Sequence, residues 1–102
     1  MTIQAVFIFT SPEADPNLHY SVTDTGGIKL LTFAVKNYEM ACDLVRNLIV
    51  KEKIDAIELC GGFGVEGVAL VNQAAGGKIP VGVVRFDHHP LLVHQTGDDL
   101  FA

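Results

Sequence analysis

Apolar and polar positions divide the chain into short alternating blocks. Ile3–Thr10 (Ile-Gln-Ala-Val-Phe-Ile-Phe-Thr) is a nearly continuous apolar run, the pattern of a strand covered on both faces. It stops at Thr10-Ser11-Pro12, where turn chemistry also suits the opening of a helix, and Asp15-Pro16 repeats that signal. Ser11–Gly27 therefore reads as either a short helix or a long functional loop. Ile28–Val35 is a second strand, and Lys29 and Thr32 within it suggest a position nearer an edge. Asn37 then stands where a helix N-cap belongs. Ala41, Leu44, Val45, Leu48 and Ile49 follow at helical spacing, with Glu39, Asp43, Arg46 and Lys53 mostly turned away from them.

Ala56–Cys60 is a third strand, followed at once by Gly61-Gly62-Phe63-Gly64. A helix from Val65 to Ala75 comes next, apolar nearly all round and closed by Gly76-Gly77. Val81–Phe86 is a fourth strand. In the C-terminal tail, residues 91–102, Leu91–Val93 reads as a short extra strand and Gly97-Asp98-Asp99 as loose chain. Strands alternating with helices predict parallel βαβ units with right-handed crossovers. The expected fold is a single α/β domain: a small sandwich with about four mainly parallel strands and helices covering the sheet. A piece of a barrel-like sheet completed by oligomerisation is the alternative.

Composition adds a partner to this picture. The chain has 102 residues, of which 49% are hydrophobic and 19% charged, with mean hydropathy +0.34. A domain this small has too much surface to hide so much apolar material alone, so a homo-oligomer is expected, with the apolar helix 65–75 as its interface. A net charge of -5 argues against nucleic acid, whose binding rests on neutralising phosphates. No stretch approaches the ~18 apolar residues of a membrane span, and no charged leader with a cleavable apolar stretch is visible. Cys42 and Cys60 do not make a disulfide framework, which fits a cytoplasmic protein.

In a parallel sheet the strand C-termini share one edge, where ligands bind. Most of the unusual residues fall there. Thr10, Ser11 and Glu13 follow the first strand, and Gly61, Gly62, Phe63 and Gly64 follow the third; together they predict a site for a small anion, held by backbone amides at a helix start. A tight strand-to-helix turn needs glycine for its own reasons, so that alternative stands beside it. Pro80–Pro90 brings Asp87, His88 and His89 to the same edge. With Glu58, a carboxylate inside an apolar strand, these are the candidate acid/base residues. Asp87 and His89 point the same way in extended chain and are the candidate ligands of a divalent metal such as zinc, manganese or iron, with Glu58 or Glu13 adding oxygens. The structural alternatives are an ion pair between Glu58 and Arg85 and a histidine spent on backbone.

Three segments carry a resemblance. Cys60–Gly67 (Cys-Gly-Gly-Phe-Gly-Val-Glu-Gly), Val81–Pro90 (Val-Gly-Val-Val-Arg-Phe-Asp-His-His-Pro) and Phe7–Pro16 resemble an uncharacterised family of small prokaryotic α/β proteins, over nearly the whole chain. The resemblance implies a stand-alone small domain and brings no activity with it. Asp87-His88-His89 is also similar to the signature of the DHH phosphoesterases, manganese enzymes that hydrolyse phosphodiesters or pyrophosphate. That likeness would put Asp87 and His88 in a metal site. The chain has no Asp-x-Asp after its first strand and is too short for that family's second domain. Three functions follow as expectations: binding of a small anionic ligand at the strand edge, a metal-dependent hydrolase or lyase built on Asp87 and His89, or a non-catalytic oligomeric regulatory or assembly subunit.

Overall fold

The apolar blocks build a five-stranded sheet. The computed structural model describes residues 2–86 and 88–102. Strands β1 (Ile3–Thr10), β2 (Tyr20–Asp24), β3 (Ile28–Val35), β4 (Ala56–Leu59) and β5 (Val81–Val83) lie in the order β2-β3-β1-β4-β5. β3, β1, β4 and β5 run parallel, and β2 pairs antiparallel with β3. This makes a single α/β domain, one strand larger than expected. The added strand comes from the ambiguous segment after Ser11. β2 forms the edge, and β3 beside it is nearer that edge than the central β1, as Lys29 and Thr32 suggested.

Helix α1 (Tyr38–Lys51) starts as its sequence predicts, with the Asn37 side-chain oxygen accepting from the Met40 N–H at 2.9 Å. Helix α2 (Val65–Ala74) ends at Gly76 and Gly77, both with positive φ. Ala41 and Val45 of α1 and Val71 of α2 pack in one core with Val6, Ile8, Leu31, Val35, Ile57 and Leu59. These strand residues alternate along β1, β3 and β4, so α1 and α2 cover the same face of the sheet.

Helices cover the sheet as expected, and among the described residues they all lie on this one face. Connectivity explains it. The crossovers β3-α1-β4 and β4-α2-β5 step across the sheet in one direction, and right-handed crossovers in one direction stay on one side. The step that travels the other way, β1 to β3, is made by β2 in the plane of the sheet.

The tail is ordered chain. Pro90–Leu92 forms a 3-10 turn where a strand was expected, and Gly97–Phe101 forms a short helix, α3, capped by the Thr96 hydroxyl on the Asp98 N–H. Phe101 is buried in the main core.

Candidate functional site

The predicted edge residues separate into two groups because successive side chains of a strand face opposite ways. Thr10, at the end of β1, points to the helix side. Its Oγ1 lies 3.9 Å from the Cys60 Sγ and packs directly over Gly62, leaving no space for a β-carbon there. Ser11 and Glu13 lie on the other side of β1 with Phe9, Ala14, His19 and Ala34, around a shallow depression of about 320 Å³. His19 stands exposed at this end, its Nδ1 accepting from the Asp15 N–H at 3.0 Å.

Glu58 joins neither group. It sits mid-sheet beside Phe7 and Gly82, on the uncovered face, and is exposed. The bare face removes the burial cost that the sequence implied for this carboxylate. β4 ends at Leu59, and Cys60 opens the turn that follows. The Cys60 sulfur accepts from the Gly62 N–H at 3.2 Å, within its own turn.

His89 reaches the glycine turn. Its ring lies 4.4 Å from that of Phe86, tilted by 45°, and the two rings close over the Cα of Gly61. His89 Nδ1 accepts from the Leu91 N–H at 3.1 Å, so in the neutral ring the proton is on Nε2. The histidine thereby caps the 3-10 turn, a backbone role of the kind the sequence left open. His88 is exposed, and Asp87 lies outside the described residues. Among the described residues, no three of His, Cys, Asp and Glu gather as a metal ion requires.

The backbone amides of Gly62, Phe63, Gly64, Glu66 and Gly67, in the glycine turn and at the start of α2, already have partners, which the sequence reading missed. Phe63 is buried, its ring stacked on Tyr38 at 5.4 Å. Tyr38 Oη accepts from the Gly64 N–H at 3.0 Å and donates to Asp98 Oδ1 at 2.9 Å. The same carboxylate accepts from the Glu66 N–H at 3.1 Å and the Gly67 N–H at 3.2 Å. Asp98 therefore supplies, from the chain's own tail, the anion that a helix N-terminus favours. Close packing holds α3 there, because a β-carbon at Gly97 would collide with the Gly62 carbonyl oxygen. Burial pushes the Tyr38 hydroxyl above the usual phenol range; the Gly64 N–H pulls it down, and the adjacent Asp98 carboxylate raises it further.

An open cleft lies next to this latch, at the same strand edge. It is a cleft of about 630 Å³ between Thr10 and Pro12 after β1, Lys36 and Asn37 after β3, and the tail. Leu91, Leu92, Val93, Leu100 and Phe101 give it an apolar wall, and Gln95 adds an amide. Leu91 and Val93 stand at its mouth, 85% and 79% exposed. Val93 and His94 both hold left-handed backbone, with φ of 55° and 56°. For a β-branched residue that conformation is costly, and the tail keeps it through His94 N–H and Gln95 N–H bonds back to His89 and Leu92. Of the predicted site residues that are described, only Thr10 lines this cleft. Lys36 and Asn37 reach it because they directly follow β3, but nothing in the sequence pointed to the tail as its wall.

A family model described as "Family of unknown function (DUF6506)" matches residues 3–99. Searches of curated proteins and of solved structures find no match.

Proposed function

Because the chain belongs to that family, which brings no activity with it, we propose from its own geometry that it binds a small amphipathic anion, such as a short carboxylate, in the cleft beside Lys36. The observation that carries the proposal is the cleft itself. Its volume of about 630 Å³ falls in the range of small-molecule sites, and its wall is mostly apolar with a few convergent polar groups. Lys36 is the cation among those groups, in a chain of net charge -5. An apolar ligand body against Leu91, Leu92 and Phe101 would remove surface that now stands in water, and a carboxylate would pair with the Lys36 ammonium. The Thr10 hydroxyl and the Gln95 amide supply further hydrogen bonds.

The chemistry differs from the anion site first read into the glycine turn. There, Asp98 already occupies the amides of Glu66 and Gly67. A bare phosphate has no apolar body for the cleft wall and is expected to bind it more weakly than hexanoate or benzoate. Cytoplasmic residence belongs to the same proposal, supported by the free thiols of Cys42 and Cys60.

Thermal unfolding with hexanoate, benzoate and inorganic phosphate tests the reading. At ten times its dissociation constant a ligand stabilises by about 1.4 kcal/mol, or roughly 6–11 °C for a domain of this size. Hexanoate or benzoate should raise the midpoint of the wild type and do so much less for Lys36→Ala. No shift with either carboxylate, or equal shifts in both proteins, refutes it.

A further inference from the structure

We infer that the uncovered face of the sheet is the contact through which two copies of this chain form a symmetric dimer, independently of the cleft. Parallel strands are nearly always covered on both faces, because their residues are apolar on both. Here β1 and β3 carry Ala5, Phe7, Phe9, Leu30 and Ala34 on the face opposite α1 and α2, and β4 adds Ala56. None of these belongs to the helix-covered core. At the margins Ile3 is 47% exposed, Ile28 49% and Phe9 37%. Ala5 and Ala34 are themselves buried, and residues 11–19 reach the Phe9 end of this face, but among the described residues no helix covers Ile3, Phe7, Phe9 or Ile28.

Area and charge select a second copy as the occupant. With a rise of 3.3 Å per residue and strands 4.8 Å apart, the five strands present about 450 Å² of projected area. Corrugation makes the accessible surface larger, so two such faces together bury on the order of 1,000 Å², where specific interfaces begin. Within the strands the only ionisable side chain on this face is Glu58, leaving little to select a charged partner. An isologous contact sets the same apolar rows against each other. Glu58 also chooses the axis. Thr32, Phe7, Glu58 and Gly82 form one row across β3, β1, β4 and β5. A two-fold axis along the strands lays β4 over β3, so each Glu58 meets a Thr32 hydroxyl. An axis across the strands at this row would bring the two Glu58 carboxylates together, a costly arrangement.

Sedimentation equilibrium tests this. The wild type should sediment at twice the 11.0 kDa chain mass. Phe9→Glu combined with Ile28→Lys replaces two exposed side chains, so it should fold with an unchanged circular dichroism spectrum and raise the dimer dissociation constant about a hundredfold. Val65→Lys and Leu70→Glu, on the exposed side of α2, should leave the dimer intact. A monomeric wild type at about 100 µM, an undisturbed Phe9→Glu/Ile28→Lys dimer, or dissociation by the α2 variants instead would each overturn the proposal. If the sheet-face variant does not fold, mixed-isotope NMR of the unsubstituted protein decides. Inter-copy contacts to the Phe7 and Phe9 rings are expected, and a dimer lacking them refutes the assignment.

Discussion

Replacing Asp98 with Ala should cost more stability than any other change to a polar residue of the tail. The carboxylate receives three hydrogen bonds, from the Tyr38 hydroxyl and from the Glu66 and Gly67 amides. Removing a side chain that satisfies helix N-terminal amides costs about 1 kcal/mol. Loss of the charge at the positive end of α2 adds about 0.5 kcal/mol. The bond from Tyr38 to an ionised acceptor is worth about 1.5 kcal/mol, giving roughly 3 kcal/mol together. For a domain of this length that lowers the midpoint by roughly 12–24 °C. Asp98→Asn keeps one acceptor oxygen and the shape, so about half the loss is expected. Urea unfolding followed by circular dichroism gives the stability, and amide exchange at Glu66 and Gly67 gives the locality, because those two N–H groups should lose protection first. A cycle with Tyr38→Phe should return a coupling of about 1 kcal/mol, since the two side chains share one bond. An Asp98→Ala protein within about 0.5 kcal/mol of wild type, or unaltered exchange at Glu66 and Gly67, would show that α3 is not held by this carboxylate.

Further outcomes follow from the same packing. Gly67→Ala places a β-carbon 2.5 Å from Tyr38 Cζ, so although alanine favours helix by up to about 1 kcal/mol, crowding should leave the variant about 1–2 kcal/mol less stable in urea. Burial holds the Tyr38 phenol above its ordinary value of 10.0, so the unfolded chain ionises first. That stabilisation is complete below about pH 10 and falls away as pH rises beyond it, and Tyr38→Phe should flatten this alkaline slope in unfolding midpoints. Burial also pushes the Cys42 thiol up, against a smaller lowering from Arg46, whereas Cys60 is half-exposed at its turn. Iodoacetamide followed by mass spectrometry should therefore modify Cys60 in the native protein and Cys42 only on unfolding, and equal rates would contradict the burial.

The elements that were legible in the sequence are those whose periodicity serves the helix-covered core. β1, β3, α1 with its Asn37 cap and α2 with its glycine stop all pack there. β2 was hidden because Tyr-Ser-Val-Thr-Asp is exposed throughout: an edge strand needs no apolar block, and its partner is fixed by the Asp24–Ile28 turn. Glu58 looked like a buried acid because parallel strands imply two covered faces; the in-plane path of β2 leaves one of them bare. The tail looked loose because its order is tertiary, resting on Gly97 against Gly62 and on Asp98 bonded to Tyr38, 60 positions away. The place of the candidate site, at the strand C-termini, follows from topology and was legible. Its walls come from Leu91–Phe101, whose packing depends on contacts that no local pattern encodes.

Binding at the cleft is tested most directly by an NMR titration of the uniformly nitrogen-15-labelled protein with hexanoate. Amide shifts should concentrate at Thr10, Lys36, Leu91–Gln95 and Phe101 and saturate with one dissociation constant, leaving Glu66 and Gly67 under Asp98 unchanged. Shifts absent at saturating hexanoate, or centred on Gly61–Gly67 instead, would contradict the proposed site.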